Sequence, residues 1–158
     1  MEKILRYVLI RLYAEVTCRD DYGKLNIVTS LKDATDGKEN YIVTPRSGTM
    51  TIVINSYKTS KKYGQIKAPL SQDLSKLIRT YIAANEKTDY LFGKSNLSPF
   101  VTKSNKKMDL NFGISEFRHM RVADAYADPN LTAEAKVALA AEMMHSPAMQ
   151  ANYAHTKN

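Results

Sequence analysis

The sequence predicts a single mainly helical domain with a small three-stranded antiparallel sheet inserted after the first helices (α+β). Three observations carry that reading. Apolar residues recur at helical spacing near the N-terminus and again over most of the chain beyond residue 70. Between residues 40 and 70 the pattern changes to short runs rich in β-branched residues, bounded by Asn, Gly and Pro. The chain has 158 residues, 44% apolar and 25% charged, which is enough to bury a core and ordinary for a globular protein.

The elements follow in order. Residues 2–15 place Ile4, Leu5, Val8, Leu9 and Leu12 at helical spacing. "TCRDDYGKLNIVTS" then reads as a turn followed by a short helix or extended segment, and "DATDGKEN" (33–40) as a turn cluster. Three strand-like runs come next: "NYIVT" (40–44), "TMTIVINSY" (49–57) and "KKYGQIKAPL" (61–70). They form a meander with Lys58, Lys61 and Lys62 around its second hairpin. "SQDLSKLIRTYIAAN" (71–85) has a Ser cap and sets Leu74, Leu77, Ile78 and Ile82 on one face. A weaker helix covers 98–110, and a better one covers 114–127, ending before Asp128-Pro129. "LTAEAKVALAAEMMH" (131–145) has the highest helix propensity and starts at Thr132. Pro147 then breaks or restarts the helix.

Charge and cysteine content narrow the function classes. Twenty-three Lys and Arg stand against sixteen Asp and Glu, a net charge of +7. That favours a polyanionic partner, nucleic acid first and an anionic membrane surface second. A single cysteine, Cys18, rules out an internal disulfide and suits a reducing, intracellular compartment. No apolar run reaches the ~18 residues of a membrane span. Arg6 and Arg11 interrupt the N-terminal apolar run, so it does not read as a signal peptide.

Most chemistries lack their parts. One Cys and three scattered His offer no metal-ligand pair at helical spacing. The glycines form no phosphate-cradling loop, and no Ser stands in a nucleophile elbow, so no cofactor is expected. What remains is a set of cations and a late tyrosine. Phosphoryl transfer at a diester needs cations on the non-bridging oxygens, an in-line nucleophile and an acid for the departing oxygen. Arginine suits the oxygens because its planar fork donates two hydrogen bonds and keeps its charge. Arg19, Arg118, Lys58, His145 and Tyr153 are residues of the right types.

"EFRHMRVADAY" followed by "AAEMMHSPAMQANYAH" resembles the C-terminal half of the catalytic domain of the tyrosine recombinase (phage integrase) family. That family carries an Arg-His pair on one helix. A later helix ends in Gly-His-Ser or similar, with the nucleophilic Tyr eight or nine residues on; His145 to Tyr153 is a step of eight. "LIRLYAEVTCRDDYGKLNIV" is similar to the first-arginine box, and "NSYKTSKKYGQIKAPL" to the hairpin carrying the family's lysine. "YKT…YG" with "LF" at 91–92 looks closest to integrases of large DNA viruses and their mobile elements. The resemblance runs from about residue 5 to 155, and the order of the boxes is more specific than any one of them.

The resemblance implies a division of labour. Arg19 and Arg118 would clamp the scissile phosphate, Lys58 would protonate the 5′-oxygen, and His145 would hydrogen-bond the phosphate. Tyr153 would attack, leaving a 3′-phosphotyrosyl intermediate, with no metal or ATP. A free tyrosine titrates near ~10, so the cations must stabilise phenolate character. The partner implied is double-stranded DNA rather than a membrane, with a monomer off DNA and a tetramer on it. Only five residues follow Tyr153, leaving little tail for protomers to exchange. Two departures stand out. The family's His or Lys three residues before the second Arg is here Ser115, a hydrogen-bond donor but a poor base. Met144 replaces the frequent Gly before His145. The family's N-terminal DNA-binding domain is also expected to be absent from residues 1–158.

Blander roles exist for each residue. Arg19 has Asp20 and Asp21 as neighbours for surface ion pairs, and Arg11, inside the first helix, is assigned a structural role. Lys61 and Lys62 compete with Lys58, which is favoured because it precedes Thr59. His119 reads as a packed or bridging residue, His145 as a helix C-terminal cation, and His155 as a solvated tail residue. A type IB topoisomerase is the nearest enzymatic alternative, and a catalytically weak basic DNA-binding module is the alternative from another class.

Overall fold

The computed structural model describes residues 2–18, 22–35, 37–85, 90–93, 96–107, 109–143 and 145–155. Helix α1 (Glu2–Glu15) turns Leu5, Val8, Leu9, Leu12 and Tyr13 into the core. These positions recur at i, i+3, i+4 and i+7, the spacing that lines one helical face. Ile4, grouped with them by periodicity, is 37% exposed instead. It stands at the margin of the apolar stripe.

The sheet has four strands rather than three, in the order β1 (Leu25–Val28), β2 (Asn40–Val43), β3 (Thr51–Ile54) and β4 (Ile66–Pro69). β2–β3 and β3–β4 are antiparallel, as the meander pattern predicts. β1 joins β2 in parallel, so the sheet is mixed. Four residues, "LNIV", carry too little periodicity to separate strand from helix, and a parallel neighbour announces itself by no hairpin turn. The outer edge of β1 is partly covered by Tyr90 and Leu91, whose backbone bridges to Asn26 and Leu25. The run 61–70 also divides: one helical turn, α2 (Ser60–Tyr63), precedes β4. Of the 33–40 cluster, Asp33 and Ala34 close a 3₁₀ turn (Leu31–Ala34), and Asn40 already belongs to β2.

Alternation along the strands divides the core. Ile42, Ile52 and Ile54 face α1 and α3 (Gln72–Ala84), joined by Leu74, Ile78 and Leu12. Tyr41, Val43 and Val53 point the other way, onto Ala34 of the 3₁₀ turn. Of the predicted apolar face of α3, Leu74 and Ile78 are buried while Leu77 and Ile82 are half-buried. The Ser71 side chain accepts from the Leu74 N–H, as its cap reading requires, and the Ser71 hydroxyl also donates to Glu15 at 2.7 Å, tying the end of α1 to the start of α3.

The C-terminal part is helical: α4 (Ser98–Lys106), α5 (Ile114–Tyr126), α6 (Ala133–Glu142) and α7 (Pro147–His155). Thr132 caps α6 by accepting from Ala135 N–H at 3.1 Å. α6 ends before His145, three residues short of its expected end. Pro147 restarts the chain as α7, because proline suits the first helical turn, where its missing N–H is no loss. α5 packs on α1 through Tyr13 and Phe117, whose rings stack at 5.7 Å, and α7 packs on α5 and α6. Among the described residues no helix is long and apolar enough to cross a membrane.

Candidate active site

Arg118 is the best-defined member of the proposed cluster. Helix α5 turns it inward beside Phe117, leaving it 3% exposed. A buried guanidinium must find acceptors, since an uncompensated interior charge is expensive. Arg118 Nη2 donates to the Met143 carbonyl at 2.8 Å. Met143 is the C-cap of α6, so its carbonyl belongs to the set that no helical N–H satisfies. A cation there also meets the negative end of the helix dipole. The bond takes one of the five guanidinium donors and fastens α5 to the chain reversal between α6 and α7.

His145 lies two residues beyond that carbonyl and is 5% exposed. Its backbone N–H donates to Ala140 at 3.0 Å, closing the end of α6. Its Nδ1 lies 3.3 Å from the Ser146 carbonyl. His145 is therefore a buried side chain at the end of α6, in the joint that Arg118 fastens. Met144 lies outside the described residues.

The Tyr153 backbone belongs to α7, the helix packed against α5. The side chains of Tyr153 and His155 lie outside the described residues. One turn earlier, Gln150 is fully buried, and its amide nitrogen and oxygen have no hydrogen-bond partner among the described residues. Sequence reasoning missed Gln150. A lone glutamine in a short helix carries no signal of burial.

Ser115 is exposed at the start of α5, and its hydroxyl donates to the Glu116 carboxylate at 3.2 and 3.3 Å. The Glu116 carboxylate in turn accepts from Gly113 N–H at 2.7 Å, closing the first turn of the helix. Partial burial pushes the Glu116 carboxyl up, but the bonds from Gly113, its own N–H and Ser115, with the nearby His119, hold it below the ordinary glutamate value. Ser115 and His119 thus both serve the cap of α5 in this structure.

Lys58 stands exposed in the turn between β3 and α2 and makes no hydrogen bond or ion pair among the described residues. Its turn is nonetheless well anchored. Asn40 Oδ1 accepts from the N–H groups of Asn55 and Ser56 at 2.9 and 2.8 Å, and the Tyr57 hydroxyl donates to Gly64 across the turn at 2.8 Å. Gly64 has a φ of 70°, a left-handed conformation that costs glycine little. Lys61 and Lys62 are exposed on α2, Lys62 over the Tyr63 ring at 5.2 Å. Arg19, with Asp20 and Asp21, lies outside the described residues; the flanking Cys18 and Tyr22 are fully buried. Arg11, the competing arginine, lies within α1 and donates to the Tyr7 hydroxyl of the preceding turn at 3.4 Å. The structure therefore brings Arg118 and His145 to one joint, with the helix of Tyr153 packed beside it. It does not connect Lys58 to that joint by any hydrogen bond or ion pair among the described residues. No group of three or more His, Cys, Asp or Glu among the described residues is arranged to hold a metal ion. Comparison with protein-family models, curated proteins and solved structures returned no match.

Proposed function

We propose that this chain is the catalytic domain of a site-specific tyrosine recombinase, which breaks and rejoins DNA strands through Tyr153. The observation that carries the reading is the joint itself. A buried cation and a buried imidazole, Arg118 and His145, meet where the helix bearing Tyr153 packs on α5. Burial of two such groups at a chain reversal works against stability, which is the expected signature of a site shaped for chemistry. The net charge of +7 supports a polyanionic substrate.

In this mechanism the Tyr153 oxygen attacks phosphorus in line and loses its proton. The bond from phosphorus to the 5′-oxygen breaks, and Lys58 delivers a proton to that oxygen. Arg118 and Arg19 hold the non-bridging oxygens as their charge rises, and His145 donates to the same phosphate. A 5′-hydroxyl of another strand then reverses the step. The diester bond energy is kept in the phosphotyrosine throughout. Ser115, bonded to Glu116, takes no part as a base, so the phenol proton leaves to another acceptor.

A second reading has its own support. Arg118 has a sufficient structural role as the cap of α6, and Ser115 as a partner of Glu116. A basic DNA-binding module without cleavage activity would keep both. Nicked duplexes drawn from a pool of varied sequence separate the two readings, because a nick near the cleavage point traps the covalent intermediate. The expected result is a denaturant-resistant protein–DNA adduct that Tyr153→Phe abolishes and Arg118→Ala reduces by at least ~100-fold. Adduct formation at one sequence supports a recombinase, and sequence-tolerant relaxation of supercoiled DNA supports a topoisomerase. No adduct with any duplex, and identical behaviour of Tyr153→Phe, leaves the binding module.

A further inference from the structure

Three lysines outside the proposed cluster, two of α4 and one at its C-cap, share one face. Lys103, Lys106 and Lys107, with Asn96, Ser98, Pro99 and Thr102, line an open groove of about 730 Å³. We infer that this groove is a second anion-binding surface, which takes backbone phosphates of duplex DNA to one side of the cleavage point. The inference rests on the proposed reading of DNA as the partner.

Four features of the groove point to phosphate. Among the described residues its lining holds three cations and no carboxylate, and Lys103 and Lys106 make no ion pair among them. Lys103 stands at i, i+3 and i+4 to the other two, the positions where like charges on a helix repel. A bound polyanion would relieve that repulsion. The remaining lining includes Ser, Thr and Asn, which serve as neutral donors to phosphate oxygens. The opposite face of α4 is firmly held. Val101, Ser104 and Asn105 are buried, and Asn105 Nδ2 donates to the Phe112 carbonyl at 2.9 Å. The lysines thus project from a fixed base.

Size and surroundings favour duplex DNA over a membrane or a single phosphate ion. From Lys103 to Lys107 the helix rises ~6 Å, and a duplex presents one phosphate per ~3.4 Å of axis on each strand. The face therefore meets roughly two phosphates of one strand. A membrane-binding face sets large apolar residues beside its cations, whereas among the described residues Pro99 is the sole apolar residue in this lining. The groove also borders α5: a Cβ placed at Gly113, the N-cap of α5, would stand 3.4 Å from Thr102 Oγ1. DNA lying along α4 would continue toward the helix that carries Arg118.

The test is the salt dependence of binding to a short duplex, read by fluorescence anisotropy on the whole chain. The variant Lys103→Gln/Lys106→Gln/Lys107→Gln should lower the slope of log affinity against log salt by roughly 2, at about 0.9 for each phosphate left without its cation. Neutralising Lys3, Lys32 and Lys76 to Gln, three exposed lysines elsewhere, should change it by less than about 0.5. If the triple variant fails to fold by circular dichroism, Lys103→Gln and Lys106→Gln alone should each lower the slope by about 1. An unchanged slope, an equal fall in the control variant, or no duplex binding by the unaltered chain overturns the inference. So does weakened binding of the triple variant to phosphatidylserine vesicles with the duplex slope intact, which would assign the groove to a membrane. The cleavage reading is tested separately. At saturating duplex the groove variant should still form the Tyr153 adduct. A lowered slope with no adduct in the unaltered chain keeps the groove and removes the cleavage reading.

Discussion

The sheet with α1 and α3 and the joint of α5, α6 and α7 bury different kinds of residue. The first region encloses a continuous apolar cluster from Leu5 to Ile78, and its buried Thr17, Asn40, Asn55 and Ser75 side chains each make a hydrogen bond. Asn40, for example, accepts two backbone N–H groups and donates to the Ser56 carbonyl. The second region has a small apolar cluster of Val122, Leu139 and Met143. Around it lie the buried Arg118, His145 and Gln150, and the Gln150 amide has no partner among the described residues. Hydrophobic burial supplies most folding free energy, while a buried amide without partners costs ~1–3 kcal/mol. The first region is organised as a scaffold. The second gives up stability to hold polar groups in place.

Core truncation should have the largest effect. Leu74→Ala, at a fully buried position between α3 and the sheet, should destabilise by ~2–5 kcal/mol in urea unfolding. A loss below about 1 kcal/mol would remove the scaffold role from this region. Gln150→Leu should do the opposite. Replacing an unsatisfied buried amide with an apolar side chain of similar size should be neutral or stabilising, by up to ~2 kcal/mol. A loss comparable to Leu74→Ala would show that Gln150 is as well fitted as any core residue, and the contrast would fail.

The smallest effect sharpens the comparison at the α5 cap. The Glu116 carboxyl is held below its ordinary value in the folded chain. Its contribution is therefore fully present above the titration range of an unfolded glutamate and is lost as pH falls through the lowered folded value. Glu116→Ala should cost ~1 kcal/mol at neutral pH, and the gap from the unaltered protein should close in acid. A gap that stays constant down to acid pH would mean that the carboxylate charge plays no part in the cap.

The extent to which the sequence could be read differs by element for physical reasons. The long amphipathic helices α1 and α3, the caps Ser71 and Thr132 and the restart at Pro147 are local features, and local spacing reveals them. The sequence leaves β1 open between a short helix and an extended segment, because its pairing with β2 is parallel and its four residues have no periodicity of their own. The end of α6 escaped because the carbonyl of its C-cap Met143 is met by Arg118 of another helix, a contact that no local spacing reveals. At the site, residue types and their order suggested a phosphoryl-transfer cluster, but burial was not legible. A histidine after a helix reads as a helix-end cation and gives no notice that it will be buried, and neither does a glutamine.

The sequence alone determined the class of helices and strands, the excess of positive charge and the residue types available for phosphate chemistry. These follow from spacing, composition and side-chain chemistry, each local to the chain. The tertiary structure alone decided that Arg118 ties α5 to the end of α6 and that His145 is enclosed. Each of these depends on which helix lies against which, a matter of long-range packing that no short stretch of the chain specifies.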